Sequence, residues 1–235
     1  MARKRAVLFL IFKTKEMSRS RLIKKGAIFD LDGTLVSTIG MHEKAYHEMF
    51  QRHAIILTDE DLKEQSGKKN ALFINGILER KNRKDLNPER LSDEKDTIVL
   101  ENLREEPAIV FDGVKQFLEL LKENGVKLAL ATSATQKTAM ILGREITPLF
   151  DVKIFAEDVG HGKPHPEIFL KAAERLGLEN EDCVIFEDAE SGIEAAKAGG
   201  FLCIAKDNNL GQDLSKADLV VKDYNSSELI GYFSG

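Results

Sequence analysis

The chain has 235 residues, 43% of them hydrophobic, and a formal net charge of −5. That length and apolar content suit one main domain with a single insertion, and the acidic balance argues against a chain that works by gripping nucleic acid. Cys183 and Cys203 lie in short apolar runs, with no CxxC and no Cys/His set. They read as two small buried hydrophobes in a cytoplasmic protein, not as a disulfide or a zinc site.

Residues 1–21 form a basic extension. The first 25 residues carry nine Lys/Arg against Glu16, a net of +8, so the rest of the chain sums to −13. The apolar run Ala6 to Phe12 is seven residues long, too short to span a bilayer. The Phe-Lys-Thr-Lys after it offers no signal cleavage site, so no stable membrane insertion is expected. Three readings stay open: an extra or frayed element, an upstream start with the working chain beginning near Met17, or a weak membrane or targeting tag.

From residue 22 onward, short apolar runs alternate with helical patterns, which is the signature of an α/β fold. LIKKGAIF at 22–29, KLALAT at 127–132, VKIFA at 152–156, CVIFE at 183–187, FLCIA at 201–205 and ADLVV at 217–221 read as strands. Their near-continuous apolar character suits a parallel sheet covered on both faces. Residues 114–125 and 165–177 read as helices, each ending in glycine. Residues 38–106 break the rhythm: they hold helical patterns with polar faces and no convincing strand. The expected architecture is a doubly wound, mainly parallel Rossmann-like sheet at 22–37 and 107–235, interrupted by an all-helical insertion at 38–106. Hinges fall near 34–38 and 106–111.

Open parallel sheets bind ligands beyond the carboxyl ends of their strands. Asp30 closes the first strand, and Asp32 follows in a turn that Gly33 permits. Thr132 and Ser133 follow the second strand, Lys163 lies in the loop after the third, and Glu187 and Asp188 close the fourth. Taken alone, a D-x-D-G is an ordinary turn, and a lone lysine is an ordinary surface residue. A calcium loop does not fit, because Thr34, Leu35 and Val36 give no evenly spaced oxygen ligands. Together the groups make a phosphoryl-transfer set. Asp30, Asp188 and Glu187 offer oxygen ligands to a hard cation such as Mg2+. Lys163 and Thr132 can hold phosphate oxygens, Asp30 can attack phosphorus, and Asp32 can move the proton.

The segments DLDGTL at 30–35, ATS at 131–133, KPHP at 163–166 and FEDAESGIEAAKAG at 186–199 resemble, in order and placement, the haloacid dehalogenase-like superfamily of phosphotransferases. The resemblance runs from residue 22 to about 222. It implies a helical cap over the core, Mg2+ dependence and a phosphoaspartate intermediate. By position, Asp30 is the nucleophile and Asp32 the general acid/base. Metal ligands fall at Asp30, Asp188, Glu187 and the Asp32 carbonyl, and phosphate-binding groups at Thr132, Ser133 and Lys163. Haloalkanoate dehalogenases lack the second aspartate, so Asp32 favours phosphoryl transfer.

Within the superfamily the chain is similar to the beta-phosphoglucomutase and sugar-phosphatase group. Thr38 and His42, four residues apart, match a pair that flanks the hinge there and are expected on one helix face. Lys95 falls where the mutase has a cap lysine. Where that group has a cap arginine that clamps phosphate, this chain offers Lys68 or Lys69, which keeps charge but loses the bidentate fork. His47 and His53 read as surface or core residues. The expected protein is a Mg2+-dependent phosphatase of a small phosphorylated metabolite, a monomer or weak dimer. The alternatives are a beta-phosphoglucomutase or related mutase and, in another class, a catalytically silent binding protein on this scaffold.

Overall fold

The computed structural model describes residues 24–38, 40–62, 70–105, 108–209, 211–226 and 229. Six parallel strands form the main sheet: β1 (Gly26–Phe29), β4 (Lys127–Ala131), β5 (Val152–Ile154), β6 (Cys183–Glu187), β7 (Leu202–Lys206) and β8 (Leu219–Val221). Their order is β5-β4-β1-β6-β7-β8. The chain winds outward to one side of β1 through β4 and β5, then to the other side through β6, β7 and β8. The carboxyl end of β1 therefore opens at the switch of winding direction, where α/β sheets leave a crevice.

Side chains alternate across the sheet. Ala27, Phe29, Leu130, Val184, Phe186 and Ile204 pack into one buried cluster; Ile28, Ala129, Ile185, Cys183 and Cys203 pack into another. Burial on both faces explains the unbroken apolar runs. Helices α5 (Val114–Glu123) and α6 (Gln136–Leu142) pack on the first face, while α7 (Glu167–Leu176) and α8 (Glu190–Ala198) cover the second. Phe29 stacks on Phe186 with centroids 4.4 Å apart, directly beneath the acidic strand ends. Both cysteines are free and buried, as the apolar runs implied.

Between β1 and β4 stand α1 (Met41–Arg52), α2 (Asp59–Leu62), α3 (Asn70–Arg80) and α4 (Pro88–Glu105). This is the helical cap. Its apolar stripe, including Met49, Phe50, Phe73, Ile77 and Val99, joins the cluster on the first face of the sheet. A small antiparallel pair, β2 (Val36–Ser37) with β3 (Ile109–Val110), ties the segment leading into these helices to the segment leaving them. Two-residue strands carry no periodic signal, and the sequence did not announce them.

Several expected elements are shorter than the apolar runs suggested. Within the described residues β1 starts at Gly26. β5 stops at Ile154, because the Asp158 carboxylate accepts the Phe155 N–H at 2.9 Å and turns the chain into a short 3-10 segment, Ala156–Asp158. The expected shared helix face for Thr38 and His42 is corrected: α1 begins at Met41, with Gly40 in a left-handed conformation at its N-cap, so Thr38 lies before the helix. Lys68 and Lys69 lie outside the described residues.

Candidate functional site

Four loops converge at the carboxyl edge of the sheet. Asp30 leaves β1 with its N–H bonded to the Phe186 carbonyl at 3.0 Å, which fixes it beside the end of β6. Lys163 comes from the loop between β5 and α7. Its Nζ donates to Asp30 Oδ1 and to Glu187 Oε1, 2.6 Å each, and the whole side chain is buried. The second oxygen of Glu187 accepts the N–H groups of Asp188 and Ala189 at 2.8 and 2.9 Å. Asp188 accepts from the Thr34 hydroxyl at 3.0 Å and from Asn208 Nδ2 at 2.9 Å.

Asp30, Glu187 and Asp188 can each bring an oxygen within 4.8 Å of the others. Three buried carboxyl groups face one ammonium away from water, an excess of two acids. Burial, then the neighbouring acids, push Asp30 upward and Asp188 up to about 7. Burial works against the Lys163 ammonium, but Asp30 and Glu187 outweigh it and hold its pKa above the ordinary value. We read the lysine as charged. Its two short contacts require charge, and the surplus sits on the acids. An all-oxygen set with two more acids than ammonium groups, whose ionisation burial and mutual repulsion oppose, fits a hard divalent cation. The space is closely tailored: a Cβ on Gly33 would overlap the Asp188 carboxylate, and one on Gly192 would overlap Glu187.

Thr132 follows β4, buried, with its hydroxyl oxygen accepting the Ala134 N–H at 3.1 Å. Ser133 is half-buried beside it. Asp32 lies on the hinge side. His42 Nε2 stands 3.5 Å from Asp32 Oδ1, beyond a well-formed hydrogen bond, and no described group bonds either of these buried atoms. Lys95 arrives from α4, buried, with Nζ 2.7 Å from His42 Nδ1 and 3.5 Å from Asp96 Oδ1. A lysine ammonium has no acceptor, so Nδ1 carries no proton and the proton of a neutral ring sits on Nε2, facing Asp32. Burial alone would raise the Asp32 carboxyl, but His42, Thr38 and Lys95 outweigh it and hold the carboxyl below its ordinary range.

The structure thus brings Asp30, Lys163, Glu187 and Asp188 into direct contact and sets Asp32, Thr38, His42 and Lys95 in a second chain of contacts at the hinge. Four further residues were not foreseen. Asn208 lies beyond β7, and the strand-end rule that picked out Asp188 would have found it had it been carried one strand further. Thr34 sits inside the opening motif itself. Asp96 accepts from Asn70 at 3.0 Å and from Thr135 of the core at 3.3 Å, bridging cap and core. Tyr224 donates to the Thr34 carbonyl at 3.1 Å from near the other end of the chain. No sequence pattern marks the last two.

Residues 24–200 match the haloacid dehalogenase-like hydrolase family. The chain belongs to that family. This hydrolase is 35% identical over 181 residues to a phosphorylated carbohydrates phosphatase of Thermotoga maritima, covering 75% of this chain and 82% of the relative. It is 31% identical to the fructose-1-phosphate phosphatase YqaB of Escherichia coli, covering 74% and 92%. Among solved structures, a beta-phosphoglucomutase from Clostridium difficile superposes with a TM-score of 0.78 at 27% identity, covering 88% of this chain and 96% of the other. The hydrolase is a phosphatase or phosphomutase acting on a small phosphorylated substrate. Among its described residues no helix is long and apolar enough to cross a membrane.

Proposed function

We propose that this hydrolase is a Mg2+-dependent phosphatase of a small sugar phosphate or similar polyol phosphate, working through a phosphoaspartate on Asp30. The observation that carries this reading is the 2.6 Å bridge of Lys163 to both Asp30 and Glu187. It holds a nucleophile and a positive charge together at a strand end that faces a helical cap. We assign the core to residues 22–37 and 107–235 and the cap to 38–106. The β2–β3 pair supports that division, because it brings entry and exit together.

Asp30, Glu187 and Asp188 would hold the Mg2+, with the Asp32 carbonyl as a further ligand; when bound it supplies positive charge that offsets the repulsion between a carboxylate and a phosphate. Lys163, Thr132 and Ser133 hold phosphate oxygens. An Asp30 oxygen attacks phosphorus, the bond to the leaving oxygen breaks, and Asp32 gives that oxygen its proton. Water then attacks the phosphoaspartate, Asp32 takes the water's proton, and Asp30 is released with inorganic phosphate. With its carboxyl held low, Asp32 is ionised in the arrangement described, the state required for the second half-reaction. For the first half-reaction it takes up a proton as substrate binds. Thr38, His42 and Lys95 position Asp32, and the cap closes over the site to exclude bulk water.

A second reading, a beta-phosphoglucomutase-like mutase, is favoured by the Lys95–His42 contact at 2.7 Å, where the resemblance anticipated a cap lysine. The two readings share the first half-reaction and differ in the acceptor. A panel of phosphate esters assayed with Mg2+, beside beta-glucose 1-phosphate with a bisphosphate primer, separates them. Stoichiometric phosphate release supports the phosphatase. Glucose 6-phosphate without matching phosphate release supports the mutase, and neither product under any condition removes both.

A further inference from the structure

The loop that delivers Lys163 inward carries a different set of groups on its outer side. His161, His165 and Glu167 can each offer one ligand atom, all within 4.8 Å of one another. His161 Nδ1 lies 3.0 Å from Glu167 Oε2, and the two imidazole rings sit 4.6 Å apart, tilted by 35°. Two donor atoms each about 2.1 Å from a zinc-like ion are about 3.0–3.4 Å apart in an octahedral or tetrahedral shell. The His161–Glu167 spacing already meets that requirement.

The carboxylate is held in place before any ion arrives. Glu167 Oε1 accepts the Gly160 N–H and Lys171 Nζ, and Oε2 accepts the His161 N–H, all at 2.9 Å. Both histidines are exposed, His161 with 71% of its side chain accessible, so a ligand position carries little desolvation cost. His165 Nδ1 accepts the Glu167 N–H at 3.3 Å, and a turn of this exposed ring gives up that long contact to reach the ion.

We propose that His161, His165 and Glu167 form a second metal site, selective for borderline divalent ions of the Zn2+ class and separate from the oxygen-only set at Asp30, Glu187 and Asp188. Two imidazoles and one carboxylate match Zn2+, Cu2+ or Ni2+ better than Mg2+, which prefers oxygen. The ion takes the place of the proton between His161 Nδ1 and Glu167 Oε2, and that proton leaves to solvent. Because His161 and His165 stand two positions either side of Lys163, a bound ion ties together both ends of the turn that presents this lysine.

The test is calorimetric titration of Zn2+ into the untagged full-length protein in saturating Mg2+. One equivalent should bind, with affinity unchanged in Asp188→Asn, His47→Ala and His53→Ala. Binding should weaken at least about tenfold in His161→Ala and in His165→Ala. Exposed positions tolerate these changes, and circular dichroism of each variant confirms the fold. Co2+ in place of Zn2+ should give a ligand-field absorption that the two histidine variants lose. Absence of Zn2+ binding in excess Mg2+ overturns the proposal. So does loss of binding in Asp188→Asn, or full binding in the His161→Ala/His165→Ala double variant.

Discussion

On the sheet side of the site, Lys163 reaches Asp30 and Glu187 at 2.6 Å each, while Glu187 and Asp188 are further held by two backbone N–H groups, Thr34 and Asn208. On the hinge side, His42 Nε2 stops 3.5 Å short of Asp32 Oδ1, and no described group completes either atom. One half is densely bonded: Lys163, Glu187 and Asp188 each have two or more partners at the carboxyl edge of the sheet, which suits a centre that must hold charge in a fixed place. The other half is under-satisfied and hangs between core and cap, which suits groups that must exchange protons and move. The residue types are similar on both sides, so the difference lies in where the supporting atoms come from.

The largest expected effect tests the rigid half. Asp30→Asn should lower turnover by about 10⁴-fold or more, the scale seen when a nucleophile is removed, and no phosphoenzyme should be trapped by acid quench. Normal steady-state turnover in that variant would reassign the nucleophile. Asp32→Asn tests the mobile half and should cost about 10²–10⁴-fold, the range for general acid/base catalysis. The loss should be larger with alkyl phosphates than with esters of good leaving groups, and an equal loss with both would remove Asp32 from the proton-transfer role.

A smaller effect reads the charge balance of the sheet half. The Asp188 pKa is raised from 3.8 to about 7 by burial and then by Glu187. A carboxyl raised on folding gives its full stabilisation below its unfolded value and loses it as pH climbs through the folded value. In protein stripped of divalent ions, stability should therefore fall between about pH 4 and 7, by on the order of 2–4 kcal/mol from this group. Melting temperature should decline over that window, and added Mg2+ should raise it more at pH 8 than at pH 5. The smallest effect belongs to Lys95→Met, which removes the donor to His42 Nδ1 and frees its tautomer. A fall in kcat of about 10–100-fold, the scale of a hydrogen bond to a charged group, is expected with little change in KM. The pH profile of kcat should also shift. A change in KM alone would place Lys95 in substrate binding instead.

The same contrast governs what could be read from the sequence. Strand ends are legible, because a buried parallel strand is a continuous apolar run and the first polar residues after it must face the crevice. Asp30, Thr132, Glu187 and Asp188 were found in this way, and Lys163 by its place in the loop after the next strand. The hinge half came mainly from family resemblance, since His42 and Lys95 lie 53 residues apart on helices whose relative placement no local pattern encodes. Thr38 was read as a hinge residue on a helix face shared with His42, but Gly40 delays the start of α1, and the Thr38 side chain bonds Asp32 from the segment before the helix. Asp96 and Thr135 escaped for the same reason as His42 nearly did: their meeting depends on how cap and core dock.

The central place of β1 also matters for synthesis. This strand is made well before both of its neighbours: Gly26 pairs with Lys127 and Cys183, 101 and 157 positions onward. The helices between have near neighbours, such as α1 against α4 and α3 against α4, and can begin to consolidate while β1 waits. Long-range parallel pairing is slow because loop closure precedes its reward. Asp30 thus meets Lys163 and Glu187 only after most of the chain has been made, so a truncated or stalled product has its nucleophile but neither the lysine nor the acids that make it useful.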